Sequence, residues 1–225
     1  MQSAASRITI FAGHYGSGKT NIALNFARSL RRGGDDVAVA DLDIVNPYFR
    51  TKDSESRLAA EGIRLVVSDY ANSNVDFPAL PKEAYALFSD RSVRVVVDLG
   101  GDDRGALALG RYVDDIRAGN DFEMLGVVNM NRPLTSSVED AVGVLREIEA
   151  ASKLPFTGIV NNTNLGAETR AKDVLESVAP VEAVASAMGL EVVMTCVASR
   201  LAGELEGKIA NLFALEIQKL CYQLD

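Results

Sequence analysis

Apolar residues fall into two alternating rhythms along the chain. Short, largely β-branched runs occur at residues 7–12, 37–40, 63–67, 93–97, 124–128, 156–160 and 191–196. Runs of that length and composition predict buried strands. Between most of them apolar positions recur every three or four residues, as Ile22, Phe26 and Leu30 do after the first run. The same spacing predicts helices near 80–89, 104–118, 135–152 and 170–188, with a last one near 202–222. In that last helix Ile209, Leu212, Phe213 and Leu220 are expected to pack on the sheet, because the stretch is too weakly basic for a membrane-surface helix. Ser136, three residues before Glu139, is a capping-box signal for the start of the 135–152 helix. Near-continuous Val and Ile runs need apolar cover on both faces. The pattern therefore predicts an α/β fold, a mostly parallel twisted sheet of about seven strands with helices on both faces. No repeat, linker or composition shift divides the chain, so one domain over 1–225 is expected.

The first strand and helix are joined by Gly13-His14-Tyr15-Gly16-Ser17-Gly18-Lys19-Thr20, with Asn21 following in the helix. Strand, glycine-rich loop ending in Gly-Lys-Thr, then helix is the phosphate-loop arrangement. Glycines let successive backbone N–H groups turn onto phosphates, and the helix N-terminus adds partial positive charge. Lys19 is expected to reach the β- and γ-phosphates and Thr20 to ligate Mg²⁺. A nucleoside triphosphate is the ligand this predicts.

Three further clusters fall at strand ends, where ligands bind in such sheets. After the second strand come Asp41 and Asp43, whose carboxylates share a face if the strand persists and can organise Mg²⁺ or an attacking water. After the fourth come Asp98 and Gly101. Asp98 is read as the metal-supporting acid, and Gly101 as the position whose N–H senses the γ-phosphate. Asp102 and Asp103 are read as acids favouring the next helix N-terminus. After the sixth come Asn161, Asn162, Thr163 and Asn164, in the region that contacts the base. Guanine is read through a carboxylate, and Asn164 stands where that carboxylate would be. An amide both donates and accepts, so ATP/ADP is favoured over guanine nucleotides. Arg132, on the loop after the fifth strand, is read as a solvated arginine, with nucleotide or subunit contact as the alternative.

Composition narrows the setting. The 225 residues are 48% hydrophobic and 24% charged, with a net charge of −8. The acidic balance gives no strong nucleic-acid or membrane signal. The start is too short and polar for a signal peptide, and no run is long enough to span a bilayer. Two cysteines, Cys196 and Cys221, suggest a reducing, cytoplasmic setting.

Taken together, residues 13–20, Asp41-x-Asp43, 98–101 and Asn161-Asn162 resemble the MinD/ParA-like branch of the SIMIBI class of P-loop NTPases. That branch includes the nucleotide-binding domain of cobyrinic acid a,c-diamide synthase. The stretch Asp41-x-Asp43-Ile44-Val45-Asn46-Pro47-Tyr48-Phe49-Arg50 is closest to that of an uncharacterised bacterial ATP-binding group. The resemblance implies Mg²⁺, slow ATP hydrolysis and homodimers sandwiching two nucleotides, with Lys19 and Asp43 catalytic, Asp43 orienting the water. Thr20, Asp43 and Asp98 would hold the metal. The chain departs from the branch at one position. A second lysine normally follows the first glycine and reaches the partner's nucleotide, whereas His14 stands here. A neutral imidazole does not replace a permanent charge, and a protonated one does so in part. Iron–sulfur carriers of the class hold clusters through paired thiolates, which the separation of Cys196 and Cys221 disfavours.

Two functions compete. One is a Mg·ATP-dependent switch acting on an unknown protein partner, with a homodimer possible. The other is an enzyme moving the γ-phosphoryl onto a carboxylate, as dethiobiotin synthetase does, with a pocket at residues 69–78 and Arg50, Arg104 or Arg111 as clamp. A GTPase and a non-catalytic nucleotide-binding scaffold are weaker readings.

Overall fold

The computed structural model describes residues 6–42, 52–67, 82–100 and 103–217. Eight strands lie in one sheet among these: β1 (Ile8–Ala12), β2 (Val37–Leu42), β3 (Ile63–Val67), β4 (Arg94–Leu99), β5 (Phe122–Val128), β6 (Gly158–Asn161), β7 (Val192–Ala198) and β8 (Leu212–Leu215). Their spatial order is β3-β2-β4-β1-β5-β6-β7-β8, and every neighbouring pair is parallel. Eight helices connect them: α1 (Lys19–Arg32), α2 (Lys52–Ala60), α3 (Lys82–Ser89), α4 (Asp103–Leu109), α5 (Val113–Gly119), α6 (Val138–Ser152), α7 (Ala171–Met188) and α8 (Ser199–Leu205). The expected fold class holds, with one strand more than the periodicity predicted.

Strand alternation sorts the core into two faces. Ile8, Ile10 and Ala12 of β1 face one side with Val95 and Val97 of β4, covered by Ile116, Leu145, Val181 and Val184 from α5, α6 and α7. Phe11, Val39 and Val96 face the other, beneath Ile22, Ala23 and Ala27 of α1. Burying each large side chain fully is worth about 1.5–3 kcal/mol, so the central strands hold the sheet most tightly. A smaller cluster of Ala171, Val174, Val197, Leu201 and Leu205 lies where α7 and α8 meet β7.

Three local expectations are corrected. The single helix over 104–118 is two, α4 and α5, because Tyr112 turns inward, 1% exposed, and its ring packs 5.2 Å from that of Phe88. The helix near 202–222 ends at Leu205. The chain then passes through left-handed Gly207 and Asn211 and enters β8. Phe213 packs beside Phe26 of α1, with Ile209 and Leu212 against the smaller cluster, so three of the four apolar residues reach the core as strand or turn. Leu220 lies outside the described residues. Helix α2 had no strong periodic signal. Finally, the cap of α6 is Ser137, whose Oγ accepts from the Asp140 N–H at 3.1 Å, one residue beyond Ser136.

Candidate functional site

Residues 13–20 leave the carboxyl end of β1, the central position of the sheet. Gly13 is required by a close approach: a Cβ there would run into the Val127 carbonyl of β5. Gly18 is required by conformation. It sits at the N-cap of α1 with φ +93°, and a Cβ would collide with the Asn162 side-chain nitrogen. Between them the Ser17 N–H donates to the His14 carbonyl at 3.1 Å, which rounds the loop.

The N-terminus of α1 has no side-chain cap and no acidic residue in its first turn. Its backbone donors are thus directed at the loop's interior, the arrangement that suits an anion. Lys19 is only 5% exposed, and its ammonium donates to the His14 carbonyl at 3.3 Å, across the loop it would share with phosphates. The His14 ring meets the Tyr15 carbonyl at 2.9 Å, and Tyr15 itself stands exposed on the rim. The Ser17 side chain is buried and its backbone carbonyl faces Asn162.

Thr20 is joined to the second strand-end cluster. Its hydroxyl donates to Oδ2 of Asp98 at 2.6 Å, and Asp98 is completely buried at the end of β4. Asp41 on β2 is paired in register with Asp98 and is buried as well. Paired residues of parallel strands share a face, here the one that α1 covers. A hydroxyl bonded to a buried carboxylate, with a second carboxylate beside it, is a hard-oxygen set that fits Mg²⁺. Asp43, Gly101 and Asp102 lie outside the described residues. Asp103 begins α4.

The Asn161–Asn164 stretch divides in its roles. Asn162 donates to the Ser17 carbonyl at 2.6 Å and so ties the end of β6 to the phosphate loop. Asn161 turns the other way: its amide donates to Ser177 of α7 at 2.9 Å, and its oxygen accepts from the Thr163 N–H. Asn164 closes its own turn, donating to the Asn162 carbonyl at 2.6 Å and accepting from the Gly166 N–H at 3.0 Å.

These residues border a cavity of about 880 Å³. It runs from Tyr15, Gly16, Gly18, Lys19, Thr20 and Asn21, past Asn162, Thr163 and Asn164, to Ala198, Ser199, Leu215, Glu216 and Ile217. Of the described residues expected in the nucleotide site, Gly13, His14, Ser17 and Asn161 are not on its wall. The far end depends on residues without any motif. Asn25 donates to the Asn21 and Glu216 carbonyls at 2.8 and 3.2 Å and accepts from the Glu216 N–H at 2.9 Å. Arg200 donates to the Ala167 and Thr169 carbonyls at 2.8 and 2.7 Å. A polar Asn25 amid Ile22, Leu24 and Phe26 was the one legible hint of this bracing. Cys196 lines the wall, and burial pushes its thiol well above the usual range, so it packs as a neutral group.

The sequence profile of the CobQ/CobB/MinD/ParA nucleotide-binding domain matches residues 8–185. No curated protein matched the sequence significantly. Among solved structures, FtsY from Mycoplasma mycoides superposes with a TM-score of 0.54 at 15% identity, covering 87% of this chain and 62% of that one. The signal recognition particle 54 kDa protein from Aeropyrum pernix, in complex with GDP, gives 0.54 at 17% identity, covering 87% and 42%. Chloroplast FtsY from Physcomitrella patens gives 0.52 at 18%, covering 87% and 59%. At these identities the likeness is one of fold, and the chain spans less than two thirds of each structure. No helix among the described residues is long and apolar enough to cross a membrane. With a phosphate loop, its partner carboxylate and a matching profile over most of its length, the chain belongs to the CobQ/CobB/MinD/ParA family of nucleotide-binding domains.

Proposed function

We propose that this protein is a Mg·ATP-binding switch that hydrolyses its nucleotide slowly and alters contact with a protein partner. The observation that carries the proposal is the 2.6 Å bond from Thr20 to Asp98, which links the metal side of the phosphate loop to the segment leading into α4. That segment is tightly apposed to the helix: a Cβ on Gly105 would stand 2.8 Å from the Gly100 Cα. A change in metal or γ-phosphate at Asp98 therefore has a packed route into α4. Leu107 on that helix is 58% exposed, an apolar contact for a partner.

In this scheme Lys19 and the first-turn N–H groups of α1 bind the β- and γ-phosphates. Thr20 ligates Mg²⁺, and Asp98, with Asp41 beside it, holds the metal's water shell. Asp43 is assigned the attacking water. Mg²⁺ held there would supply charge neutralisation on the phosphates; orientation and exclusion of water fall to the loop. ATP is favoured because an amide, Asn164, stands where guanine recognition would use a carboxylate. A guanine nucleotide is the second reading, supported by the GDP bound to the Aeropyrum pernix protein of similar fold.

Calorimetric titration of nucleotide-free protein with Mg·ATP and Mg·GTP tests both, with Lys19→Ala as control. Tighter ATP binding, lost by at least about 100-fold in the control, is the expected result. Tighter GTP binding moves the assignment to the second reading. Absence of binding to either removes the proposal.

A further inference from the structure

We infer that Arg132 is a second phosphate-binding cation, gripping the nucleotide's phosphate chain from the wall of the cavity that Lys19 also lines. The inference rests on the reading of the cavity as a nucleoside triphosphate site.

Three cationic side chains line the cavity among the described residues: Lys19, Arg132 and Arg200. Arg200 is spent on structure, since one terminal nitrogen bridges the Ala167 and Thr169 carbonyls. Arg132 is placed differently. Its Nε donates to the Gly16 carbonyl at 3.0 Å, and its guanidinium lies against Gly16, 3.7 Å from where a Cβ would be. Its two terminal nitrogens have no hydrogen-bond partner among the described residues, and no carboxylate there pairs with it. A guanidinium is a rigid planar fork of five donors. With Nε fixed on the loop backbone, the remaining donors belong to a side chain that lines the same cavity as Gly16, Gly18 and Lys19.

The backbone that presents Arg132 is braced from both directions. The Arg132 N–H donates to the Asn129 carbonyl at 3.1 Å, and its own carbonyl accepts from the Thr135 N–H at 3.0 Å. The Thr135 hydroxyl donates to the same Asn129 carbonyl at 2.6 Å, and both residues are buried. Asn129 in turn accepts from Asn131 and from Asn164, which joins this loop to the one after β6. An exposed arginine ordinarily carries a large rotamer entropy that binding must remove. Here the stem starts from a rigid turn and ends on Gly16, so less freedom is lost when an anion arrives.

The Gly16 bond alone would make Arg132 a brace for the loop, and charge separates the two roles. Arg132→Lys keeps the cation and loses the fork; Arg132→Gln loses the cation. Calorimetry of wild type, both variants and Lys19→Ala with Mg·ATP and with AMP, alongside nucleotide-free melting curves, decides between them. The expected result is a 10- to 100-fold weaker Mg·ATP affinity for the glutamine variant, with a smaller loss for the lysine variant, which keeps the charge without the fork. AMP binding and the melting temperature stay at wild-type values in both. Equal losses for lysine and glutamine, a parallel loss of AMP binding, a lowered melting temperature or an unchanged glutamine variant would each overturn the assignment. Failure of the wild type itself to bind Mg·ATP removes the nucleotide reading beneath it and the inference with it, an outcome distinct from all of these.

Discussion

The two ends of the cavity are built on opposite principles. At the phosphate end, contacts come from backbone N–H groups and a few side chains within residues 13–20, helped by Asp98 and Asn162. At the other end no such motif exists. Its wall is a set of backbone segments pinned by side chains from elsewhere, Asn25 on Glu216 and Arg200 on Ala167 and Thr169. Phosphates are the same in every nucleotide, so a local sequence can encode their receptor. The far end must only be the right distance away, and distance is a property of the fold.

The largest effect should come from deforming the phosphate end without touching its charges. Gly18→Val places a β-branched residue at φ +93° and into Asn162. Strain of about 1–2 kcal/mol and a displaced loop should abolish detectable binding of both ATP and inorganic tripolyphosphate in calorimetry, while far-ultraviolet circular dichroism remains that of a folded α/β protein. Wild-type affinity would mean that the loop's shape is not what binds. Thr20→Val comes next. It removes the hydroxyl bonded to Asp98, and should weaken nucleotide binding about 10-fold or more with Mg²⁺ present but little in EDTA. Equal losses in both conditions would remove the metal assignment.

Asn25→Ala probes the other end. Its three bonds to Asn21 and Glu216 are worth about 1–3 kcal/mol together. Urea unfolding should show that loss. ATP affinity should fall several-fold while tripolyphosphate affinity is unchanged; a loss shared by both ligands would erase the distinction between the ends. The smallest effect belongs to neither. Glu123, near the start of β5, has its pKa raised above 4.5 by burial, partly offset by the Thr9 hydroxyl at 2.7 Å. The folded chain keeps that proton in a window where the unfolded chain has released it, so stability falls as pH rises through the window. Glu123→Gln should flatten the melting temperature's dependence on pH just above 4.5 and leave nucleotide affinity alone.

The same contrast governs what the sequence revealed. Seven strands and the phosphate loop were legible because runs of Val and Ile and a Gly-Lys-Thr ending depend on their own neighbours. Strand β8 was not. Leu212-Phe213-Ala214-Leu215 is too short for periodicity to separate strand from helix, and pairing with β7 decided it. Ser136 and Ser137 each stand three residues before an acid, and the cap formed on the second. Asn161 and Asn162 look alike in the sequence, yet the strand's alternation sends one to Ser177 and the other to Ser17. One expected helix is two, broken where Tyr112 caps α5 and packs its ring against Phe88, a contact between distant segments that local periodicity does not carry.

The tie between Asn25 and Glu216 joins positions 191 residues apart. During synthesis, the phosphate loop and its helix emerge early, and the strand that completes the cavity arrives almost two hundred residues later. Contacts of such separation close loops of high entropic cost and form late in folding. Until then the wall that Leu215, Glu216 and Ile217 supply is missing, and the cavity is open on that side. Tight retention of nucleotide therefore reports that residues 212–217 have docked beside β7, and a nascent or truncated chain lacking them would reveal itself by fast exchange.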